Sequence, residues 1–163
     1  MIVRYSRKSD EEEIKDLLYK SFGEMVEIEG AYEGIDKGRY LCAVIDGEIA
    51  AITGICFDDE FSGYQLTWGC TKPEYRRKGI MSKLIERLIA VTDEDIYCSC
   101  WRIGDNKNIN LYMPMEKNHF ENIISNTLTH NVNHNCDSKK DCPYRTKSCF
   151  CANDLYLRKG TVE

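Results

Sequence analysis

The sequence predicts a mixed α/β (α+β) domain on a largely antiparallel central sheet of about seven strands, flanked by helices. Three observations lead there. Asp46-Gly47 separates two apolar strand-like runs, and that pair favours the positive φ angles of a two-residue hairpin. Segments 11–22 and 80–91 carry apolar residues at helical spacing. Further strand-like stretches follow at 64–71 and 95–101, and 152–158 alternates.

The elements follow in order. Residues 2–5 read as a first strand. Ser9 and Glu12 have the spacing of a capping box, with Asp10 and Glu11 in the first helical turn. Ile14, Leu17, Leu18 and Phe22 give that helix one apolar face, and Gly23 ends or bends it. Residues 24–38 are acidic and glycine-bearing, and read as a loop or short helix. Strands are expected at 40–45, 48–57 and 64–71, with Pro73 stopping the last. Ile80, Leu84, Ile85, Leu88 and Val91 form the stripe of an amphipathic helix. A strand at 95–101 is followed by a helix over 107–117 that Pro114 should kink or interrupt. Strands at 120–132 and 152–158 complete the order. There is no internal repeat, and 1–163 reads as one domain.

Composition narrows the function. Hydrophobic residues make up 42% and charged residues 30%, as in an ordinary globular protein. The net charge of −5 lacks the basic excess of a general nucleic-acid binder. No apolar run approaches the roughly 20 residues that cross a bilayer, and the first residues are not a secretory signal. The expected setting is the cytoplasm, with no nucleic-acid or membrane partner, for a monomer or homodimer.

Nine cysteines fall into two groups. Cys42, Cys56, Cys70, Cys98 and Cys100 lie in apolar strands and read as small buried hydrophobes. Cys136, Cys142, Cys149 and Cys151 lie in a polar insertion at about 133–151, within the last strand pair. Their C-x5-C-x6-C-x-C spacing makes them candidate zinc ligands, although it lacks the usual C-x2-C knuckle. Free or redox-active thiols and a local disulfide are the alternatives.

The most informative stretch is 67–85. A strand ends, a short basic loop carries one glycine, and a helix begins at once. A helix N-terminus offers unpaired N–H groups and the positive end of the dipole. Gly79 allows a phosphate to approach the backbone, while Arg76, Arg77, Lys78 and the Ser82 hydroxyl add donors. Ile80 and Met81 complete the first turn. A pyrophosphate suits this arrangement; a solvated basic turn is the plainer alternative. Neither a Walker loop nor a dinucleotide fingerprint is present.

Pro73-Glu74-Tyr75-Arg76-Arg77-Lys78-Gly79-Ile80-Met81 resembles the Pro-x-x-Arg/Gln-x-x-Gly-x-Gly/Ala signature of the GNAT superfamily of N-acetyltransferases. Arg4 and Asp10, the Ile45–Ile49 hairpin, and Asn108 through Phe120 are similar to the family's other landmarks. Met81 departs at the second small position, where it should narrow the loop, and His119 replaces the glycine before Phe120.

The resemblance implies acetyl-CoA as co-substrate and direct attack by a primary amine, carried on a small molecule or a protein. The backbone of Gly69, Cys70 and Thr71 would face the pantetheine, and the 77–82 amides would hold the pyrophosphate. Asn108 joins the implied cofactor residues. A strand-four N–H would stabilise the oxyanion. The family's glutamate base falls on Gln65, which accepts no proton, and Glu24, Glu27, Asp58 and Asp59 are candidates by region only. The acid that protonates the leaving thiolate falls on Met115. Tyr112, three residues earlier on the same helical face, is the candidate that can supply it. Gln65 and Met115 keep a second reading open: a degenerate member that binds acyl-CoA, or senses metal or redox state, without transfer.

Overall fold

The computed structural model describes residues 1–28, 30–59, 61–102, 112–127 and 152–160. Its core is a seven-stranded sheet in the order β1-β2-β3-β4-β5-β7-β6. The strands are β1 (Ile2–Tyr5), β2 (Tyr40–Ile45), β3 (Glu48–Asp58), β4 (Gly63–Thr71), β5 (Ile96–Arg102), β6 (Glu121–Thr127) and β7 (Ala152–Arg158). Every pairing is antiparallel except β4 with β5. The helices are α1 (Glu11–Phe22), α2 (Met25–Ile28), α3 (Glu33–Asp36), α4 (Ile80–Ile89) and α5 (Tyr112–Lys117). No helix among the described residues is long and apolar enough to cross a membrane.

Local signals account for most boundaries. Asp46 and Gly47 take φ values of 51° and 88°, the positive pair that the β2–β3 hairpin requires. Gly23 stops α1 at φ 67°. Pro73 opens a single 3-10 turn where β4 ends. Pro114 neither kinks nor interrupts the described α5. It stands in that helix's first turn, where a missing N–H costs nothing.

The start of α1 differs from expectation. A 3-10 turn at Lys8–Asp10 leads into α1, and Asp10, not Ser9, occupies the cap. Its carboxylate accepts the Arg7 N–H at 2.8 Å and a two-pronged Arg4 guanidinium at 2.6 and 2.9 Å. A long-range ion pair therefore outcompetes the local Ser9–Glu12 pattern. The Arg4 hydrogen bond holds the Asp10 carboxyl below its ordinary pKa, against the opposing effect of burial.

The apolar faces divide into two clusters on opposite sides of the sheet. One lies under α4 and contains Leu66, Met81, Leu84, Ile85, Leu88, Cys98, Cys100, Met115 and Tyr156. The other lies under α1 to α3 and contains Ile14, Leu18, Val26, Ile35, Cys42, Ile52 and Cys70, with Phe22, Tyr32 and Trp68 against it. All five cysteines of the described strands are free, as packing thiols should be.

Candidate functional site

The site starts from a fork in the sheet. β4 and β5 pair only through Tyr64↔Ile96, Gln65↔Tyr97 and Leu66↔Cys98. Beyond that point β4 runs on to Thr71 and β5 to Arg102 without pairing to each other. β4 thus carries a stretch of backbone that bonds β3 on one side and faces an opening on the other. The Lys72 N–H donates to the Ala50 carbonyl at 2.9 Å, so Lys72 and Cys70 turn toward β3. Thr71 between them turns into the fork. Its carbonyl accepts Arg76 Nε at 3.0 Å, which leaves its N–H free to meet a ligand.

Within the fork β4 bulges. Ile52 pairs with Cys70 and Gly54 with Thr67, so Thr53 alone opposes both Trp68 and Gly69. Trp68 carries the irregularity with φ 51°, a left-handed conformation unusual for a bulky residue. The Thr53 hydroxyl donates to the Thr67 carbonyl at 3.3 Å and covers the break from the β3 side. No sequence signal marks this bulge, because tryptophan does not favour a left-handed backbone.

Past Thr71 the chain enters the basic loop. Glu13 of α1 braces its entrance: one carboxylate oxygen accepts the Ile49 N–H at 2.9 Å and Lys72 Nζ at 2.8 Å. Arg77 and Gly79 are both left-handed, at φ 61° and 74°, and Gly79 caps α4. A Cβ built on Gly79 would meet nothing within 4 Å. The space above this glycine is open, so its φ and an approaching ligand are the two reasons for it to be glycine. The Lys83 N–H is bonded to the Gly79 carbonyl at 3.2 Å. The earlier amides of Ile80, Met81 and Ser82 lie in the first turn, whose donors find no helical partner. Arg76, Arg77 and Lys78 are exposed, and no carboxylate among the described residues pairs with them. The loop therefore combines aligned amides, a positive dipole end and three cations, which fits a pyrophosphate.

Met81 does not narrow this loop. Its side chain is 8% exposed and packs inward under the bulge. Its sulfur lies 3.6 Å from where a Gly69 Cβ would stand. That is ordinary van der Waals contact, so Met81 packs beside Gly69 without depending on its missing side chain. Ile80 is likewise buried, so both residues can present only their amides to a ligand.

α5 is held against α4 by a residue the sequence reading passed over. The buried Asn118 amide donates to the Pro114 carbonyl at 2.8 Å and to the Ser82 carbonyl at 3.2 Å. Both amide hydrogens are used, and one of them ties α5 to the first turn of α4. The turn at His119 keeps the geometry a glycine would give. His119 adopts φ 61°, its N–H reaches the Glu116 carbonyl, and the Phe120 N–H reaches the Met115 carbonyl at 3.0 Å. That is a complete Schellman closure, with buried Phe120 and Met115 as its apolar pair. The strain of a left-handed histidine is accepted and the shape is kept.

Met115, on which the acid position falls, is fully buried in the core. Tyr112 is the first residue of α5. Gln65 lies half-buried in the short β4–β5 seam, opposite Cys56 and Tyr97. Glu24, Glu27 and Asp59 are exposed, and Asp58 is half-buried at the end of β3. Asn108 and the four cysteines Cys136, Cys142, Cys149 and Cys151 lie outside the described residues. Among the described residues no group of three or more potential ligands gathers around a metal position. Burial pushes the Cys70 thiol up to about 12, so it stays protonated beside the fork.

Comparisons with known proteins agree with this geometry. The family model "Acetyltransferase (GNAT) family" matches residues 9–115. A GNAT-family acetyltransferase from Bacillus cereus is similar at TM-score 0.69 and 16% identity, over 99% of this chain and 98% of that one. An aminoglycoside 6'-N-acetyltransferase complexed with coenzyme A is similar at TM-score 0.70 and 13% identity, over 97% and 96%. A ribosomal L7/L12 α-N-protein acetyltransferase is similar at TM-score 0.65 and 13% identity, over 99% and 94%. At these identities the likeness is one of fold. No curated protein sequence matches this chain.

Proposed function

The chain belongs to the GNAT acetyltransferase family, and from that premise we propose that it transfers the acetyl group of acetyl-CoA to a primary amine. The acceptor is a small molecule or a protein amine, and it attacks directly within a ternary complex. The observation that carries this reading is the β4–β5 fork opening onto the α4 N-terminus. A chain-like ligand laid along β4 reaches the amides of Ile80, Met81 and Ser82 with its phosphates and the bulge at Trp68–Gly69 with its thioester.

Each group then has a physical task. The loop amides with Arg77 and Lys78 balance the pyrophosphate charge. The Thr71 N–H offers the pantetheine a strand-like bond, while Arg76 holds the Thr71 carbonyl. An amide at the bulge is preorganised for the oxyanion that forms as the amine attacks. Tyr112 gives its proton to the departing thiolate. Cys70 remains a neutral thiol at neutral pH, which favours direct attack by the amine over an acyl-cysteine route. Free thiols in five described cysteines support a reducing compartment such as the cytoplasm. Zinc at Cys136, Cys142, Cys149 and Cys151 stays a separate proposal, tested by elemental analysis of protein purified without added metal.

The test is direct. Calorimetry should detect coenzyme A binding, and a panel of primary amines should give free thiol with acetylated product by mass spectrometry. Binding without any product would favour the non-catalytic reading. Absence of both would remove the proposal.

A further inference from the structure

Trp68 stands out in the fork because a bulky aromatic holds a backbone shape that glycine would adopt freely. Such an outlier points toward function when the side chain has a use that glycine could not supply. Gly69 faces α4, since Met81 fills the space beside it. Trp68 faces the opposite side, against the cluster under α1. On the transfer reading the cofactor occupies the side of the α4 N-terminus, which leaves the α1 side for the acceptor. Trp68 is the large side chain that the bulge itself turns to that side.

The indole is not alone. Phe22, the last residue of α1, meets it edge-to-face at 5.3 Å between ring centroids and 79° between planes. Both rings are half-buried and pack against the cluster under α1 to α3. Gly23 then turns the chain at φ 67°, and exposed Glu24 and Glu27 follow. An aromatic corner thus stands beside the bulge, with two exposed carboxylates in the segment that follows Phe22. Aromatic faces attract an approaching ammonium and then bury the carbon atoms attached to it. The carboxylates aid encounter with a cation but contribute no apolar contact.

We propose that Trp68, with Phe22, is the specificity-determining wall of the acceptor site, and that it selects primary amines carried on an apolar or aromatic body. This rests on the transfer reading above and deepens it. Two probes of similar amine chemistry separate the classes: phenethylamine has a flat apolar body, and ethanolamine has almost none. The wild-type enzyme should favour phenethylamine by at least tenfold in kcat/KM. Trp68→Gly removes the ring and keeps the left-handed backbone, so the preference should fall to near unity while coenzyme A affinity stays within twofold. Trp68→Phe should keep part of the preference, and it supplies the test should the glycine variant fail to fold. An unchanged preference in these variants, or one that favours ethanolamine in the wild type, overturns the proposal. So does a loss of coenzyme A affinity equal to the loss of rate, because Trp68 would then act only through the fold. A binding arm is independent of turnover. Phenethylamine added to the CoA-loaded wild type should quench tryptophan fluorescence, and in Trp68→Phe, where Trp101 is the remaining indole, it should not. If the wild type binds coenzyme A but transfers nothing, the transfer reading fails and this arm alone decides; absent quenching overturns the wall.

Discussion

Replacement of Gly79 separates two demands that the structure places on one residue. Gly79 has φ 74° and nothing within 4 Å of an added Cβ. In the free protein, Gly79→Ala therefore meets no clash, and its cost is backbone strain alone, about 1–2 kcal/mol for a left-handed L-residue. Binding adds a second cost. The Cβ would stand in the open space through which a pyrophosphate reaches the first-turn amides of α4. Loss of that approach should weaken coenzyme A binding at least tenfold, about 1.4 kcal/mol. Gly79→Asn is the control, because asparagine tolerates the left-handed region yet carries the same Cβ. Urea melts should show alanine costing more stability than asparagine, while calorimetry should show both losing coenzyme A affinity. If affinity follows strain, falling with alanine and surviving with asparagine, the cradle argument is wrong. An affinity within twofold of wild type in both folded variants refutes it outright.

Three further outcomes follow from the same geometry. His119→Gly should stabilise the protein by roughly 0.5–1 kcal/mol, since relief of a left-handed residue exceeds the added freedom of the unfolded chain; a destabilised variant in urea would contradict the Schellman assignment. Tyr112→Phe should lower kcat by roughly 10²–10⁴ with coenzyme A affinity preserved, and a kcat within about twofold of wild type would reduce Tyr112 to packing. The Asp10 carboxyl is held low by Arg4, so the stability it contributes is present above its ordinary pKa of about 3.9 and is lost as pH falls through the lowered native value. Asp10→Asn should flatten the acid side of the stability profile below about pH 5, and an unchanged profile would mean that the Arg4 pair contributes nothing.

The architecture was legible because its signals are local. Asp46-Gly47, Pro73, Gly23, the continuous apolar runs of β2 and β3 and the alternation of β7 each specify their own neighbourhood. The phosphate loop was legible for the same reason, since strand, glycine and helix follow one another within a few residues. What escaped depends on side-chain partners that no local pattern rule pairs. Asp10 displaces Ser9 as cap because Arg4 reaches it from β1. Asn118 reads as one more polar residue until Ser82 of α4 is found beside it. Met81 reads as an intrusion on the loop until it is found buried in the core under α4. The bulge at Trp68 runs against intrinsic preference, so no pattern rule would place it. His119 misled in the opposite sense, because the surrounding Schellman bonds impose a shape that histidine alone would not choose.

The seam between β4 and β5 has a thermodynamic consequence. Only three residue pairs join the four strands on one side to the three on the other. A pantetheine bonded to the free edge of β4 extends the sheet where protein backbone is missing, so ligand occupancy becomes a term in the folding equilibrium itself. At a hundredfold excess of ligand over its Kd, that linkage adds about 2.7 kcal/mol to the apparent stability. The melting temperature should therefore rise with coenzyme A concentration, and hydrogen exchange should slow first at Thr71, whose amide faces the fork.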